Sequence, residues 1–218
     1  MKKSRISVFK QGKLIELFVA ETTARKSAEI VSVNRNTAKL YFHKLRLLIK
    51  AHNEAVSLEF LGGKIEIDES YFGGKRKGKR GRGAAGKVPV FGLLKRGGKV
   101  FAQVVSDTKS KTLIPIIKKK ICPQSIVYTD SYGSYNALDT SDFKHYRINH
   151  STHFFVEPTH INQIKNFWNQ AKRYLRKFND ISRENFHLYL RECQSKFNNS
   201  STKTQLKMCR KMATKNLF

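Results

Sequence analysis

The chain has 218 residues, and its 43 Lys or Arg against 16 Asp or Glu give it a formal charge of +27. That length suits one medium domain plus a small one with a real core, and a folded protein this basic repels itself unless a polyanion shares its surface, which points to nucleic acid. The absence of any run of about 18 apolar residues excludes a membrane-spanning helix. Cys122, Cys193 and Cys209 stand too far apart for a zinc ribbon or a disulfide framework.

The opening MKKSRISVFKQGK has cations but no apolar stretch, so it does not read as a signal peptide. With the unpaired cysteines, this predicts a cytoplasmic, nucleoid-associated protein in a reducing compartment. Residues 4–50 read as helices. Leu14, Ile15, Leu17, Phe18 and Val19 mark the first. Thr22 or Thr23 offers an N-cap for a short second helix through Ala28, Ile30 and Val31. After a turn at Ser32–Asn34, a third begins at about Arg35, with Leu40, Tyr41, Leu45 and Leu48 expected inward. Three short helices with a tight turn before the last match a helix-turn-helix over residues 1–52. That motif sets the first residues of its last helix, here Arg35 and Asn36, in the major groove of DNA.

Residues 53–63 read as a linker ending in a glycine pair. From Lys64 the texture changes to strands: KIEIDESYF alternates Ile65 and Ile67 with Lys64, Glu66 and Asp68. VPVFGLLKR and KVFAQVVSD flank Gly97-Gly98 as a hairpin. TLIPIIKKKI predicts a helix, SIVYTD a buried strand and HYRIN another strand, and residues 161–198 are mostly helical. There, Ile164, Phe167, Trp168, Ala171, Leu175 and Phe178 form an apolar stripe, flanked by Lys165, Asn169, Lys172 and Arg176. The order predicts an α/β domain over residues 64–200, followed by a basic tail, 201–218. Between the first two strands, GGKRKGKRGRGAAGK carries Lys75, Arg76, Lys77, Lys79, Arg80 and Arg82 with no acid. Such a segment suits a loop that holds DNA phosphates.

Acids are scarce, so their positions inform. Asp68 ends the first strand and Asp130 ends SIVYTD; ligands of α/β sheets gather at the carboxyl ends of strands. Two carboxylates brought together there repel unless a divalent cation joins them, and Mg²⁺ (or Mn²⁺) prefers such hard oxygen ligands. A pair of ions about 4 Å apart can activate the attacking oxygen and stabilise the leaving one in phosphodiester chemistry. His150, His153 and His160 lack zinc spacing.

The stretches IDESYFGGKRKGKRGRGAAGKVPVFGLLKR, IVYTDSYGSY, RINHSTHF and HINQIKNFWNQAKRYLRKFN resemble the DDE transposases of small bacterial insertion sequences, more narrowly the ISXO-type branch. The resemblance covers nearly the whole chain. It implies a ribonuclease H-like catalytic domain, a mixed sheet flanked by helices, behind a small all-α helix-turn-helix domain. It also implies Mg²⁺-dependent cleavage at the element's terminal inverted repeats, with the freed 3′-hydroxyl then attacking target DNA. Joining two ends implies a homodimer or higher assembly on double-stranded DNA. The family's first two acids map onto Asp68 and Asp130, which would hold the metal. Its third acid stands two residues before the Phe-Trp pair, with a basic residue seven positions further on.

Here that third place is Lys165, while Lys172 stands where the basic residue belongs. An ammonium about 4 Å from a divalent ion costs roughly 8 kcal/mol at an effective dielectric of about 20. Three readings follow: a transposase copy disabled at one residue; an active enzyme that takes its third ligand from Asn166, Glu69 or Glu157; and a DNA-binding protein that represses transposition without cutting. One helical residue is about 100° of rotation, so Asn166 would reach the site only if the helix turned.

Overall fold

In a computed structural model of the chain, residues 6–56, 61–73, 86–138, 143–148, 160–178 and 181–216 are described. Three helices come first: α1 (Val8–Val19), α2 (Ala24–Val31) and α3 (Arg35–Val56). Thr23 caps α2, its hydroxyl accepting the Lys26 amide, and Ser32 ends that helix in the left-handed region at φ 53°. Asn34 then caps α3 by accepting the amide of Asn36. The two caps set a three-residue turn between α2 and α3. Leu14, Ile15, Phe18, Ala28, Val31, Phe42, Leu45 and Ile49 form the core of this bundle. Two sequence expectations fail there. Leu40 is 55% exposed and Leu48 only half-buried, because Tyr41, Phe42, Leu45 and Ile49 hold the inward face. α3 also continues to Val56, into the stretch expected as a linker.

Five strands follow: β1 (Lys64–Phe72), β2 (Val88–Lys95), β3 (Val100–Val104), β4 (Ile126–Asp130) and β5 (Lys144–Ile148). Their spatial order is β3-β2-β1-β4-β5. β1, β2 and β3 are antiparallel neighbours, and β4 and β5 run parallel to β1. This is a mixed sheet flanked by helices, as the sequence predicts. Gly97, at φ 67°, makes the expected turn between β2 and β3. On one face, α4 (Ser110–Lys120) and a 3₁₀ turn (Gly133–Leu138) cover Ile65, Ile67, Phe91, Leu93 and Val127.

The other face is covered by α5 (Asn162–Leu175) and α6 (Phe186–Asn198). The stripe of α5 is buried as its spacing predicts: Ile164, Phe167, Trp168, Ala171 and Leu175 pack with Phe72, Val90 and Leu94 of the sheet. Gly92 permits the close approach, since a Cβ there would lie 2.6 Å from Trp168 Cζ2. The residues expected as a basic tail instead hold α7 (Thr202–Asn216), which packs Cys209 and Ala213 into the N-terminal bundle. Both ends of the chain therefore build that bundle. A buried ion pair ties it to α6, with Arg46 Nε 2.7 Å from Glu192 Oε2. Among the described residues no helix is long and apolar enough to cross a membrane.

Candidate active site at the rim of the sheet

β1 and β4 pair in parallel through Glu66 and Tyr128. Two further residues along each strand lead to Asp68 and Asp130, on neighbouring strands about 4.8 Å apart. The two predicted acids thus come together where β4 ends. Asp130 closes its strand as expected, but Asp68 lies in the middle of β1, which continues to Phe72 because Glu69–Phe72 stay paired with β2. Asp68 lies on the face under α5, opposite Gly92 of β2. Burial, then the charges of Glu69 and Asp130, push its carboxyl up to about 7, against the pull of the Lys165 ammonium. Asp130 Oδ1 accepts the backbone amide of Tyr132 at 3.0 Å, which fixes the carboxylate where the strand ends.

Lys165 and Lys172 stand seven residues apart on α5, two turns along one face. Both act electrostatically on Asp68. The ammonium of Lys172 lies 5.7 Å from the centre of the Phe72 ring. Desolvation lowers its pKa, Asp68 pulls it back up, and Lys87 adds to the drop. Two members of the α5 row, Lys165 and Lys172, therefore bring cations to Asp68. Arg176 is the exposed C-cap residue of the same helix.

Asn166 does not join this group. It is exposed, one residue around the helix, and its Oδ1 accepts the side-chain amide of Gln170 at 3.3 Å. Glu69 points to the opposite side of β1, where it accepts the buried Tyr135 hydroxyl at 2.7 Å. Arg35 and Asn36 are exposed at the start of α3. Lys75, Arg76, Lys77, Lys79, Arg80, Arg82, His150, His153 and Glu157 lie outside the described residues.

One constellation escaped the sequence reading. Glu66, fully buried on β1, accepts the Ile164 amide at 3.0 Å and the Arg96 Nε at 3.0 Å. Arg96 also donates to the His160 carbonyl and stacks 3.8 Å from the Tyr128 ring centre. His160 Nδ1 stands 3.9 Å from the same carboxylate. A carboxylate is thus set on the free amides at the positive end of α5, which locks the helix start and with it the place of Lys165. Only one feature hinted at this: an acid two residues before Asp68 on a strand whose second face also had to be covered.

The described donors do not by themselves fit a pair of divalent ions. Two carboxylates converge, the third place carries an ammonium, and no third acid, histidine or cysteine joins them among the described residues.

The family model of the ISXO2-like transposase domain matches residues 60–198. A protein of Haemophilus influenzae described as transposase-like is 54% identical over 114 residues, covering 52% of this chain and 93% of that protein. A protein in transposable element ISH50 of Halobacterium salinarum is 28% identical over 152 residues, and the match spans 62% of this chain and 52% of that relative. Among solved structures, the Mos1 strand transfer complex is similar at a TM-score of 0.39 and 10% identity, over 99% of this chain and 78% of that one.

Proposed function

The chain belongs to the ISXO2-like transposase family, and from that premise we propose that it binds the terminal inverted repeats of an insertion sequence in a form whose strand cleavage is suppressed at Lys165. The family generally uses divalent metal ions. The observation that carries the proposal is the meeting of Asp68, Asp130, Lys165 and Lys172 at one rim of the sheet. With a glutamate at 165, three acids would converge beside a phosphate-binding lysine, the charge pattern that phosphodiester cleavage needs. With Lys165, the ammonium offsets part of the charge of the two aspartates and supplies no ligand.

In this reading residues 1–52 read DNA through the turn between α2 and α3, with Arg35 and Asn36 at the groove. Lys172, Arg176 and the segment Lys75–Arg82 hold phosphates, and two copies assemble to bring two ends together. Asp68 and Asp130 are the surviving acids of the centre. The exposure of Asn166 and its bond to Gln170 argue against it as a replacement ligand.

The test is nicking of a labelled inverted-repeat duplex in Mg²⁺ or Mn²⁺, comparing the chain as it stands with Lys165→Glu. Both are expected to bind the duplex, and only the variant to cut. Its gain should exceed the ~100-fold that even an outer-shell partner of a metal can cost. Efficient cutting by the unaltered chain would overturn the proposal.

A further inference from the structure

α7 (Thr202–Asn216) is part of the helical bundle and presents a charged outer face. Cys209 and Ala213 are buried against α1 and α3, with Leu206, Met208 and Met212 packed beside them. The helix runs antiparallel to α1. Thr202 and Gln205 line one cavity with Val19 and Ala20, while Arg210 Nη2 bonds Glu16 Oε1 at 2.8 Å. At the other end of α1, Lys10 Nζ donates to the Ser32 carbonyl at 2.8 Å, in the turn that leads into α3. α7 therefore travels toward the end of the bundle where Arg35 and Asn36 are exposed.

Lys203, Lys207 and Lys211 follow one another at four-residue steps on its outer side, all exposed. The helix contains no Asp or Glu. Like charges four residues apart weaken a helix, so the row works against the fold of the free chain and is relieved by a polyanion. It extends about 12 Å along the axis, the rise of three to four phosphates on one strand of a duplex.

We propose that this row is a second phosphate-contacting surface, which grips the backbone of double-stranded DNA beside the α3 groove contact. The inference rests on the reading that the chain binds DNA. Contacts of this kind fix position on the duplex and carry no base sequence.

The full chain and its Lys203→Gln/Lys207→Gln/Lys211→Gln variant are titrated with a fluorescent inverted-repeat duplex and a random duplex between about 50 and 200 mM salt. The salt slope is expected to fall by about 2.7 for both duplexes, 0.9 per lost contact. Replacement by Arg at the three positions should retain it. Melting of the variant without DNA at or above the temperature of the parent shows that the fold is intact. If the triple variant melts lower, Lys207→Gln alone should still reduce the slope by about 1. Parallel salt lines would make the row a solvated face and overturn the inference while leaving DNA binding in place. A parent chain that binds neither duplex would remove both readings.

Discussion

Two buried acids, Glu192 on α6 and Asp68 on β1, meet opposite surroundings. Burial pushes the Glu192 carboxyl up, but Lys196, Arg46 and Tyr174 outweigh it and leave the group below the usual carboxylate range. The Tyr174 hydroxyl donates to it, Lys196 Nζ lies 3.1 Å away, and the Arg46 guanidinium stacks 3.9 Å from the Tyr189 ring centre. Around Asp68, burial and two further acids act in the same direction, and its carboxyl rises to about 7. An acid surrounded by cations and donors holds the two parts of the molecule together. An acid held beside acids stores repulsion, the pattern expected where function overrides stability.

The largest effect is expected where that contrast is broken at Glu192. Glu192→Gln leaves Arg46 and Lys196 without their shared counter-charge between bundle and core, which should cost about 3–5 kcal/mol, read by urea unfolding. The sign with pH follows from the lowered carboxyl. Its contribution is present above the unfolded value of 4.5 and lost as pH falls through the folded one. A loss below about 1 kcal/mol would mean that the pair is no more than a surface contact in effect.

A smaller effect tests the packing that presents Asp68. Gly92 is its cross-strand partner, and a methyl group there would meet Trp168 at 2.6 Å and Ile164 Cδ1 at 3.1 Å. Gly92→Ala should therefore lift α5 from the sheet and cost about 1–3 kcal/mol. The same shift would move Lys165 and Lys172 relative to the two aspartates. A variant as stable as the parent would show that α5 has room to slide.

The strands of the core were legible because Ile, Val and Phe recur at the spacing of a sheet, and Asp68 and Asp130 stood out as acids ending such runs. The role of Glu66 was hidden by the same alternation. In KIEIDESYF it reads as a solvent-facing residue, yet α5 covers that face and Arg96 neutralises the charge. α7 was hidden by composition: its lysines dominate the sequence, and Leu206, Met208, Cys209, Met212 and Ala213 bury themselves only because α1 and α3 leave a groove for them. The exposure of Leu40 was equally unreadable, since two adjacent apolar faces on α3 compete and only tertiary contact chooses between them.

Asp68→Asn gives the smallest expected change in stability and the sharpest test of the contrast. A carboxyl raised above its unfolded value of 3.8 binds its proton more tightly in the folded chain. Its stabilising contribution is therefore full below pH 4 and lost as pH rises through about 7. Below about pH 3.8 the group is protonated and neutral like Asn in both the folded and the unfolded chain, so parent and variant should unfold alike in metal-free buffer. At pH 8 the parent carries an ionised group beside Asp130, and the variant should be the more stable. The shift from 3.8 to about 7 sets a ceiling of about 4 kcal/mol at 1.36 kcal/mol per unit. Relaxation of Lys165 toward the carboxylate brings the expected gain down to about 1 kcal/mol. A variant less stable than the parent at pH 8 would mean that Lys165 compensates Asp68 fully, so that this rim is a satisfied ion-pair cluster like the one at Glu192.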